Sequence, residues 1–379
     1  MNRKQRRAEP KPAGDAIALH AEGVQAFVAG RTNLAADLIA RAIAANAAMP
    51  DAHYNLAIVR KAQGKLKQAA ASYQRAIALK PDHANAHNNL GNVFKELGKP
   101  DKARASFERA LQLKPGNADT LYNLGLLCCD AGEPDQAARY LRACLEQDPD
   151  DSRGVKILLA HLGLADAPDR TSQSQLQKIY EVRSRFWDQE STYFAHRLVA
   201  EALREHAPQG GLDILDIGCG TGLVGAAVRD LARRLDGVDL SPAMLDKARG
   251  KNLYDRLEQA DIIAFLSAHK GSYDAILGAA VLIHFGDLQA LFQAAATALR
   301  ENGLFVFTLF ANDVTGLDFS IAASDRLAQN GCYTHNADYV NRLAGTCGFS
   351  VVAIRNVVHE HDQDNNPVPG LVAVLRRAS

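Results

Sequence analysis

The stretch LDILDIGCGTG, residues 212–222, decides the fold of the C-terminal half of this chain. An apolar run interrupted by two acids leads directly into glycines at every second position, Gly218, Gly220 and Gly222. This pattern predicts a buried parallel strand that ends in a tight turn, with a helix beginning near Leu223. Glycine permits close approach of the backbone to a ligand, and the first turn of a helix presents free N–H groups. The segment therefore predicts a site for a nucleotide-like cofactor.

Strand and helix patterns alternate from residue 212 to the end of the chain, after an amphipathic helical segment at 175–203. Alternation of this kind predicts a mostly parallel sheet covered by helices on both faces. The polar segment 165–174 has no apolar period and predicts a linker, with the domain boundary near residue 170. The predicted strands are a short segment just before Asp261 and the ranges 212–217, 234–239, 273–277, 304–310, 350–358 and 370–375.

A 34-residue period organises the N-terminal half of the chain. Residues of four kinds recur with this spacing: turn glycines, helix-ending prolines, small alanines and large apolar residues one helical turn later. They are Gly30, Gly64, Gly98 and Gly132; Pro81, Pro115 and Pro149; Ala35, Ala69, Ala103 and Ala137; and Ile39, Tyr73, Phe107 and Leu141. The pattern resembles the tetratricopeptide repeat in four copies, at 16–49, 50–83, 84–117 and 118–151. This resemblance predicts a helical solenoid over 16–151, a capping helix and linker over 152–174, and a basic disordered tail over 1–15.

Such repeat arrays usually present a concave face to a partner. Asn55, Asn89 and Asn123 recur 34 residues apart on the first helix of their repeats. If they line the groove, their amides are able to hydrogen-bond the backbone of an extended peptide, which makes a protein or peptide the expected partner. The alternative is that these asparagines support packing within the array.

The C-terminal half resembles the class I S-adenosylmethionine-dependent methyltransferases. Asp216 precedes the GxGxG turn, Asp239 ends the second strand 23 residues later, and the pair Asp261-Ile262 follows the third strand. The resemblance implies that Asp239 accepts hydrogen bonds from ribose, that Asp261 accepts one from the adenine amino group, and that Ile262 packs on the ring. The cofactor contacts that it implies are Asp216, Gly218, Gly220, Gly222, Asp239, Leu240, Asp261, Ile262 and Ala279.

The expected fold class is therefore α + α/β. A solenoid of tetratricopeptide repeats precedes a Rossmann-like class I methyltransferase domain over 175–379, which has a mostly parallel seven-stranded sheet and binds S-adenosyl-L-methionine. The chain also resembles predicted methyltransferases that carry such repeats. One departure is Glu190, which stands near a position that these enzymes often give to tyrosine. Trp187 or Tyr193 is expected to cover the cofactor instead.

A dinucleotide is the competing cofactor. Gly220, Gly222 and Gly225 satisfy GxGxxG, and an acid follows about 20 residues later, as in dinucleotide-binding folds. The acid at Asp216, the additional Gly218 and the later acid–isoleucine pair are not part of that fingerprint. These residues favour S-adenosylmethionine over NAD.

His284 is the candidate catalytic residue. Methyl transfer from a sulfonium is an in-line displacement in which positioning matters more than a strong base. His284 follows the fourth strand, near the sheet edge where ligands bind in such folds, and an imidazole suits proton removal. The alternative is that it hydrogen-bonds backbone groups of its own loop. Two functions remain open: a methyltransferase of unknown acceptor whose repeats recruit a partner, and a scaffold that binds the cofactor and a partner without turnover.

Composition narrows the class of protein further. The 379 residues carry 43 basic and 43 acidic side chains, so no global field favours nucleic acid. The six cysteines show no paired metal spacing, and without a secretory signal they are expected to be reduced thiols rather than disulfides. No apolar segment follows the basic start, and none reaches the roughly 20 residues needed to span a bilayer. These features predict a cytoplasmic protein without a membrane partner.

Overall fold

The computed structural model describes residues 13–189, 193–314, 316–323, 327, 330–362 and 364–379. Its contacts divide the chain into two units, Met1–Pro149 and Asp150–Ser379. The predicted basic tail lies largely outside the described residues, and Glu190 lies outside them as well. Within the described ranges, no helix is both long enough and apolar enough to cross a membrane.

The described part of the first unit consists of helices arranged as consecutive antiparallel pairs. Glycines with positive φ, such as Gly98 at +67°, join the two helices of a pair, as the period predicted. Close packing explains a second glycine position: a Cβ on Gly91 would lie 2.5 Å from the ring of Phe107, which is fully buried. The helices are α1 (Ala13–Val28), α2 (Thr32–Ala45), α3 (Pro50–Ala62), α4 (Leu66–Leu79), α5 (Ala84–Glu96), α6 (Pro100–Leu113), α7 (Ala118–Asp130) and α8 (Pro134–Gln147).

The three recurrent asparagines form hydrogen bonds between successive repeats. The Nδ2 atom of each one lies within hydrogen-bond distance of a side chain 35 residues earlier. The pairs are Asn55 with His20 at 2.9 Å, Asn89 with Tyr54 at 3.0 Å, and Asn123 with Asn88 at 3.0 Å. Ion pairs use the same spacing, since Lys61 contacts Glu96 and Lys95 contacts Asp130. The structure thus supports a packing role for these asparagines, and the role in partner binding stays a prediction.

The second unit is an α/β domain. Its helices are α9 (Val155–His161), α10 (Gln173–Arg183), α11 (Ala195–His206), α12 (Leu223–Val228), α13 (Pro242–Gly250), α14 (Ile262–Ala268), α15 (Gln289–Ala298) and α16 (Ala337–Thr346). Its strands are β1 (Leu212–Ile217), β2 (Ala232–Asp239), β3 (Arg256–Gln259), β4 (Tyr273–Gly278), β5 (Leu299–Ala311), β6 (Phe319–Ile321), β7 (Tyr333–His335), β8 (Phe349–His361) and β9 (Pro367–Arg377).

The predicted seven-stranded, mostly parallel sheet is confirmed. Strands β3, β2, β1, β4 and β5 lie side by side and parallel, and β9 then pairs antiparallel with both β5 and β8. The sequence did not predict the short strands β6 and β7, which extend the sheet beside the end of β5. Because β1, β2 and β4 are parallel, the glycine turn, Asp239 and Ala279 all follow strand ends at the same edge of the sheet.

The segment 150–174 contains a helix, α9, within the range predicted for the capping helix, but its remainder is not a linker between two units. Its contacts group it with the second unit, so the boundary lies after Pro149 rather than near residue 170. Hydrogen bonds explain this grouping: Thr171 Oγ1 donates to the carbonyl of Gly331 at 2.6 Å, and Gly286 N–H donates to the carbonyl of Asp169 at 2.7 Å. A polar segment without apolar period can therefore be a fixed part of a domain, because its hydrogen bonds replace apolar packing.

Candidate cofactor and acceptor site

The glycine turn after β1 is shaped by close approach and by positive φ. A Cβ on Gly218 would lie 2.4 Å from the side chain of Val281, and φ at this residue is +64°. Gly220 and Gly222 also have positive φ, at +53° and +90°. Side chains at these positions are strained or excluded, which explains why the motif has glycine at all three.

Asp239 at the end of β2 holds the glycine turn in place. Its Oδ2 accepts the N–H of Gly220 at 2.9 Å, and its Oδ1 accepts the N–H of Ser241 at 2.8 Å. Burial raises the pKa of Asp239, and the backbone donors counter part of that rise. Each carboxylate oxygen has two lone pairs, so acceptor capacity remains for a ligand hydroxyl.

Asp216 lies beneath the turn and is fully buried. Its Oδ2 accepts the hydroxyl of Tyr254 at 2.6 Å, whereas its Oδ1 has no hydrogen-bond partner. Burial raises the pKa of Asp216 to about 7; the Tyr254 hydroxyl lowers it and the charge of nearby Asp239 raises it further. Asp216 does not line the cleft; it bonds to Tyr254, whose ring lies against Gly222 of the turn.

Asp261 caps the N-terminus of α14, and its carboxylate accepts four hydrogen bonds. Its Oδ1 accepts the N–H groups of Ile263 and Ala264, each at 3.1 Å. Its Oδ2 accepts Gln173 Nε2 and Arg170 Nη1, each at 2.9 Å. These four bonds use the roughly four acceptor positions of a carboxylate. An adenine amino group can bond to this oxygen only after one of the two side-chain donors has left.

A cleft of about 910 Å³, its open mouth included, runs along this edge of the sheet. Eight of the ten residues predicted for cofactor binding and catalysis line it: Gly218, Gly220, Asp239, Leu240, Asp261, Ile262, Ala279 and His284. Asp216 and Gly222 do not. The cleft lies at the edge of the sheet where ligands bind in open α/β folds. Its two carboxylates stand beside apolar residues, an arrangement that suits a ribose diol and a flat heterocycle.

His284 is held by two hydrogen bonds. Its Nδ1 lies 3.0 Å from the carbonyl oxygen of Gly331, and its Nε2 lies 2.7 Å from the hydroxyl of Tyr180. A carbonyl only accepts, so Nδ1 carries the proton and Nε2 presents its lone pair to Tyr180. Burial lowers the pKa of His284 to about 4, and the charge of Arg183 adds to this effect. The imidazole is therefore neutral near pH 7.

An aromatic wall closes the cleft on the side of His284. The ring centroids of Trp187 and Tyr193 are 5.1 Å apart, and those of Trp187 and Tyr180 are 5.8 Å apart. Both residues predicted to cover the cofactor, Trp187 and Tyr193, line the cleft. Asp188 accepts bonds from Thr221 and Lys251, and so joins the segment that carries Trp187 to the glycine turn.

Polar residues of the site that the sequence did not predict include Arg170, Thr171, Gln173, Tyr180 and Tyr254. The first three fall in or beside the polar segment expected to be a linker, and they line the cleft. Tyr180 lies on an amphipathic helix whose pattern does not reveal which face meets the ligand. Only its contact with His284, 104 residues away, identifies it.

Both units of the chain are similar to known proteins. Residues 186–354 match the family model of a methyltransferase domain, and residues 59–98 and 94–162 match models of tetratricopeptide repeats. A ubiquinone biosynthesis O-methyltransferase of Xanthomonas axonopodis pv. citri is 29% identical over 185 residues, which cover 44% of this chain and 74% of the relative. One of Nitrosococcus oceani is 26% identical over 174 residues, covering 43% and 74%.

A solved structure with a similar fold is the 1,6-didemethyltoxoflavin-N1-methyltransferase of Burkholderia thailandensis with bound S-adenosylhomocysteine. It is 20% identical with a TM-score of 0.45, over 55% of this chain and 87% of that protein.

The C-terminal unit is accordingly a methyltransferase domain, and the N-terminal unit consists of tetratricopeptide repeats. The chain is an S-adenosylmethionine-dependent methyltransferase. The predicted class of enzyme and the predicted cofactor are confirmed.

Proposed function

We propose that the chain methylates an oxygen atom of a small acceptor and that its repeats bind a protein or peptide partner. The observation that carries the first part is the cleft itself, in which Asp239 fixes the glycine turn and the aromatic wall faces the neutral His284. The choice of oxygen rests on the O-methyltransferases among the relatives. The repeat matches support the second part.

Different residues of the cleft are assigned to different parts of the cofactor. Asp239 accepts from the ribose hydroxyls, and the backbone at Gly218 and Gly220 approaches the amino-acid end of the cofactor. Ile262, which is 4% exposed, packs against the adenine ring together with Leu240. Gln173 is the neutral donor on Asp261, so its release makes room for the adenine amino group at the lowest electrostatic cost. Ala279 contributes backbone at the end of β4, and Asp216 contacts the turn through Tyr254.

S-adenosylmethionine supplies an activated methyl group, which is why the protein does not need a strong base. The chain's own contribution is to align the acceptor, to exclude water with the aromatic wall, and to take up a proton. His284 Nε2 is the only imidazole lone pair among the described residues that line the cleft. We therefore propose that His284 Nε2 takes up the proton that the acceptor loses.

Calorimetric titration of the purified chain with S-adenosylmethionine tests the cofactor assignment. We expect saturable binding to one site per chain and no binding of NAD under the same conditions. S-adenosylhomocysteine serves as the matched ligand without the transferable methyl group, and it is expected to compete. Binding of NAD with comparable affinity would contradict the proposed chemistry of the cleft.

The partner proposal needs an experiment that separates binding from packing, because Asn89 also contacts Tyr54. Asn89→Ala and Tyr54→Phe break the same bond between repeats, but only Asn89→Ala removes the amide. We expect peptides selected from a random library against the full chain to lose affinity about tenfold for Asn89→Ala and to be unaffected by Tyr54→Phe. Fluorescence anisotropy of the labelled peptides measures both. Equal losses would assign the asparagines to packing alone.

A further inference from the structure

One peptide unit at the end of β4 is held from both sides by side-chain hydroxyls. The carbonyl oxygen of Ala279 accepts the hydroxyl of Tyr193 at 3.3 Å, and the N–H of Ala280 donates to the hydroxyl oxygen of Thr308 at 3.0 Å. Both alanines line the cofactor cleft, whereas Thr308 does not. Two side chains from other parts of the chain therefore fix the orientation of a peptide that faces the ligand.

Ala280 has an unusual backbone conformation. Its φ is +54°, in the left-handed region that residues with a Cβ rarely adopt. Asparagine and aspartate tolerate this region, because their short polar side chains hydrogen-bond locally. The other non-glycine residues with positive φ in the described part of the chain are all of these two types: Asp151, Asn252, Asn302 and Asn365. Alanine has no such compensation, so contacts from outside the residue must keep Ala280 in this conformation.

Thr308 is well placed to provide this contact. It is fully buried on β5, the strand beside β4, and its hydroxyl oxygen also lies 3.0 Å from Nε2 of His359. His359 is itself fully buried, on β8. A buried β-branched side chain has few rotamers, and a second hydrogen bond restricts it further. The hydroxyl oxygen of Thr308 therefore stays at the N–H of Ala280.

The conformation of Ala280 sets the course of the chain beside the glycine turn. β4 ends at Gly278, and a single 3₁₀ turn follows at Leu282–His284, whose last residue is the candidate base. Between the two, Val281 packs so closely on the glycine turn that a Cβ on Gly218 would lie 2.4 Å from its side chain. A rotation at Ala280 would therefore change the position of the chain against the part of the turn that faces the ligand.

Resting on the proposed methyltransferase function, we propose that Thr308 is a positioning residue of the methyl-transfer site. It acts through the N–H of Ala280 and holds the Ala279–Ala280 peptide in the orientation that the amino-acid end of S-adenosylmethionine requires. That end of the cofactor is the one affected, because the proposed function assigns it to Gly218, against which Val281 packs. Without the hydroxyl, the buried N–H of Ala280 has no acceptor and the strained peptide rotates.

Thr308→Val keeps the shape of the side chain and removes the acceptor of the Ala280 N–H. We expect the peptide to leave its strained orientation in the free protein, so that binding has to restore a rare conformation. S-adenosylhomocysteine is then expected to bind about tenfold more weakly. Thr308→Ser retains the hydroxyl and is expected to stay within about threefold of the wild-type affinity. Calorimetric titration of the full chain with S-adenosylhomocysteine measures both variants.

A second substitution tests whether Thr308 acts through Ala280. Glycine adopts positive φ without strain, so the Ala280→Gly background removes the force that rotates the peptide. In that background, the loss of affinity caused by Thr308→Val is expected to be smaller by about fivefold. An equal loss in both backgrounds would show that Thr308 does not act through the conformation of Ala280.

Two controls separate positioning from a general loss of stability. Tyr273→Phe removes another buried hydrogen bond of 3.0 Å, to Asp236, from a residue that does not line the cleft. We expect it to lower the urea midpoint of unfolding, followed by Trp187 fluorescence, and to leave the affinity for S-adenosylhomocysteine unchanged within about twofold. 5′-Methylthioadenosine lacks the amino-acid part of the cofactor. In competition with S-adenosylhomocysteine, it is expected to bind Thr308→Val and wild type equally within about twofold.

The outcomes separate this inference from the proposed function. If S-adenosylhomocysteine does not bind the wild-type chain, the proposed function fails and this inference fails with it. If it binds wild type and Thr308→Val equally, or if Tyr273→Phe weakens it as much as Thr308→Val does, Thr308 has only a structural role and the proposed function stands. An equal loss of affinity for 5′-methylthioadenosine in Thr308→Val would overturn the assignment to the amino-acid end.

Discussion

Gly220→Arg is expected to lose affinity for S-adenosylmethionine by more than about a hundredfold, which corresponds to ~2.8 kcal/mol of binding free energy or more. Gly220 lines the cleft and has a φ of +53°, so a large side chain there strains the backbone and fills space next to the ligand. The new guanidinium would also stand beside Asp239, whose Oδ2 accepts the Gly220 N–H, and would compete for the carboxylate assigned to ribose. Calorimetric titration of the full chain measures the loss.

Gly271→Arg is the matched control for this variant. Gly271 belongs to the same unit and has a φ of +58°, so the same substitution imposes a similar backbone strain. It does not line the cleft, and a Cβ there would have no heavy atom within 4 Å. We expect this variant to bind S-adenosylmethionine with wild-type affinity, and the unfolding curve of each variant by Trp187 fluorescence to show that its domain is folded. Normal affinity in Gly220→Arg would refute the placement of the cofactor at the glycine turn.

The sequence predicted those parts of the molecule whose cause is local. The strand, glycine turn and helix at residues 212–228 follow from apolar burial and from positive φ in a single short segment. The repeat array follows from a period that is visible along the chain. The position of the ligand edge follows from parallel topology, because parallel strands bring their carboxyl ends together. Each of these predictions needed only neighbours in sequence or a general rule of packing.

The unpredicted parts depend on pairs that are distant in sequence. Tyr254 supports Asp216 from 38 residues away, and Gln173 reaches Asp261 across 88 residues. Neither residue belongs to a motif, so only the folded chain reveals the pair. The segment 165–174 is predicted to be a linker because polarity without a period usually indicates one. In this domain the same polarity supplies the hydrogen bonds that fix Thr171 and Arg170 beside the cleft.

Asp216 is expected to make the methyltransferase domain less stable as the pH rises from about 4 to about 7. Its carboxyl group is fully buried, and burial raises its pKa from 3.8 to about 7 in the folded state. A raised pKa means that the folded state binds the proton more tightly than the unfolded state does. The stabilising effect is thus complete below pH 3.8 and is lost by pH 7, a change of about 4 kcal/mol in the free energy of unfolding.

Asp216→Asn removes this pH dependence. The amide keeps an acceptor for the Tyr254 hydroxyl, whereas its N–H₂ group has no acceptor at the position of the unpartnered Oδ1. That second effect costs ~1–3 kcal/mol at every pH, so the absolute stability of the variant is a poor test. The better test is how the difference in unfolding free energy between variant and wild type changes with pH. It is expected to shift in favour of the variant by about 4 kcal/mol between pH 4 and pH 8.

Asp213 on the same strand provides the control with the opposite sign. Hydrogen bonds from Arg233 and then Arg300 lower the pKa of Asp213 to about 2, against the effect of burial. Its stabilising effect is present above pH 3.8 and is lost as the pH falls toward 2, so Asp213→Asn is expected to give a constant difference between pH 5 and pH 8. Urea unfolding followed by Trp187 fluorescence reports on this domain alone, because the chain has no other tryptophan. If Asp216→Asn behaves like Asp213→Asn over this range, Asp216 is ionised in the folded state throughout pH 5 to pH 8, and the raised pKa is wrong. The turn would then rest on a buried charge rather than on a protonated acid.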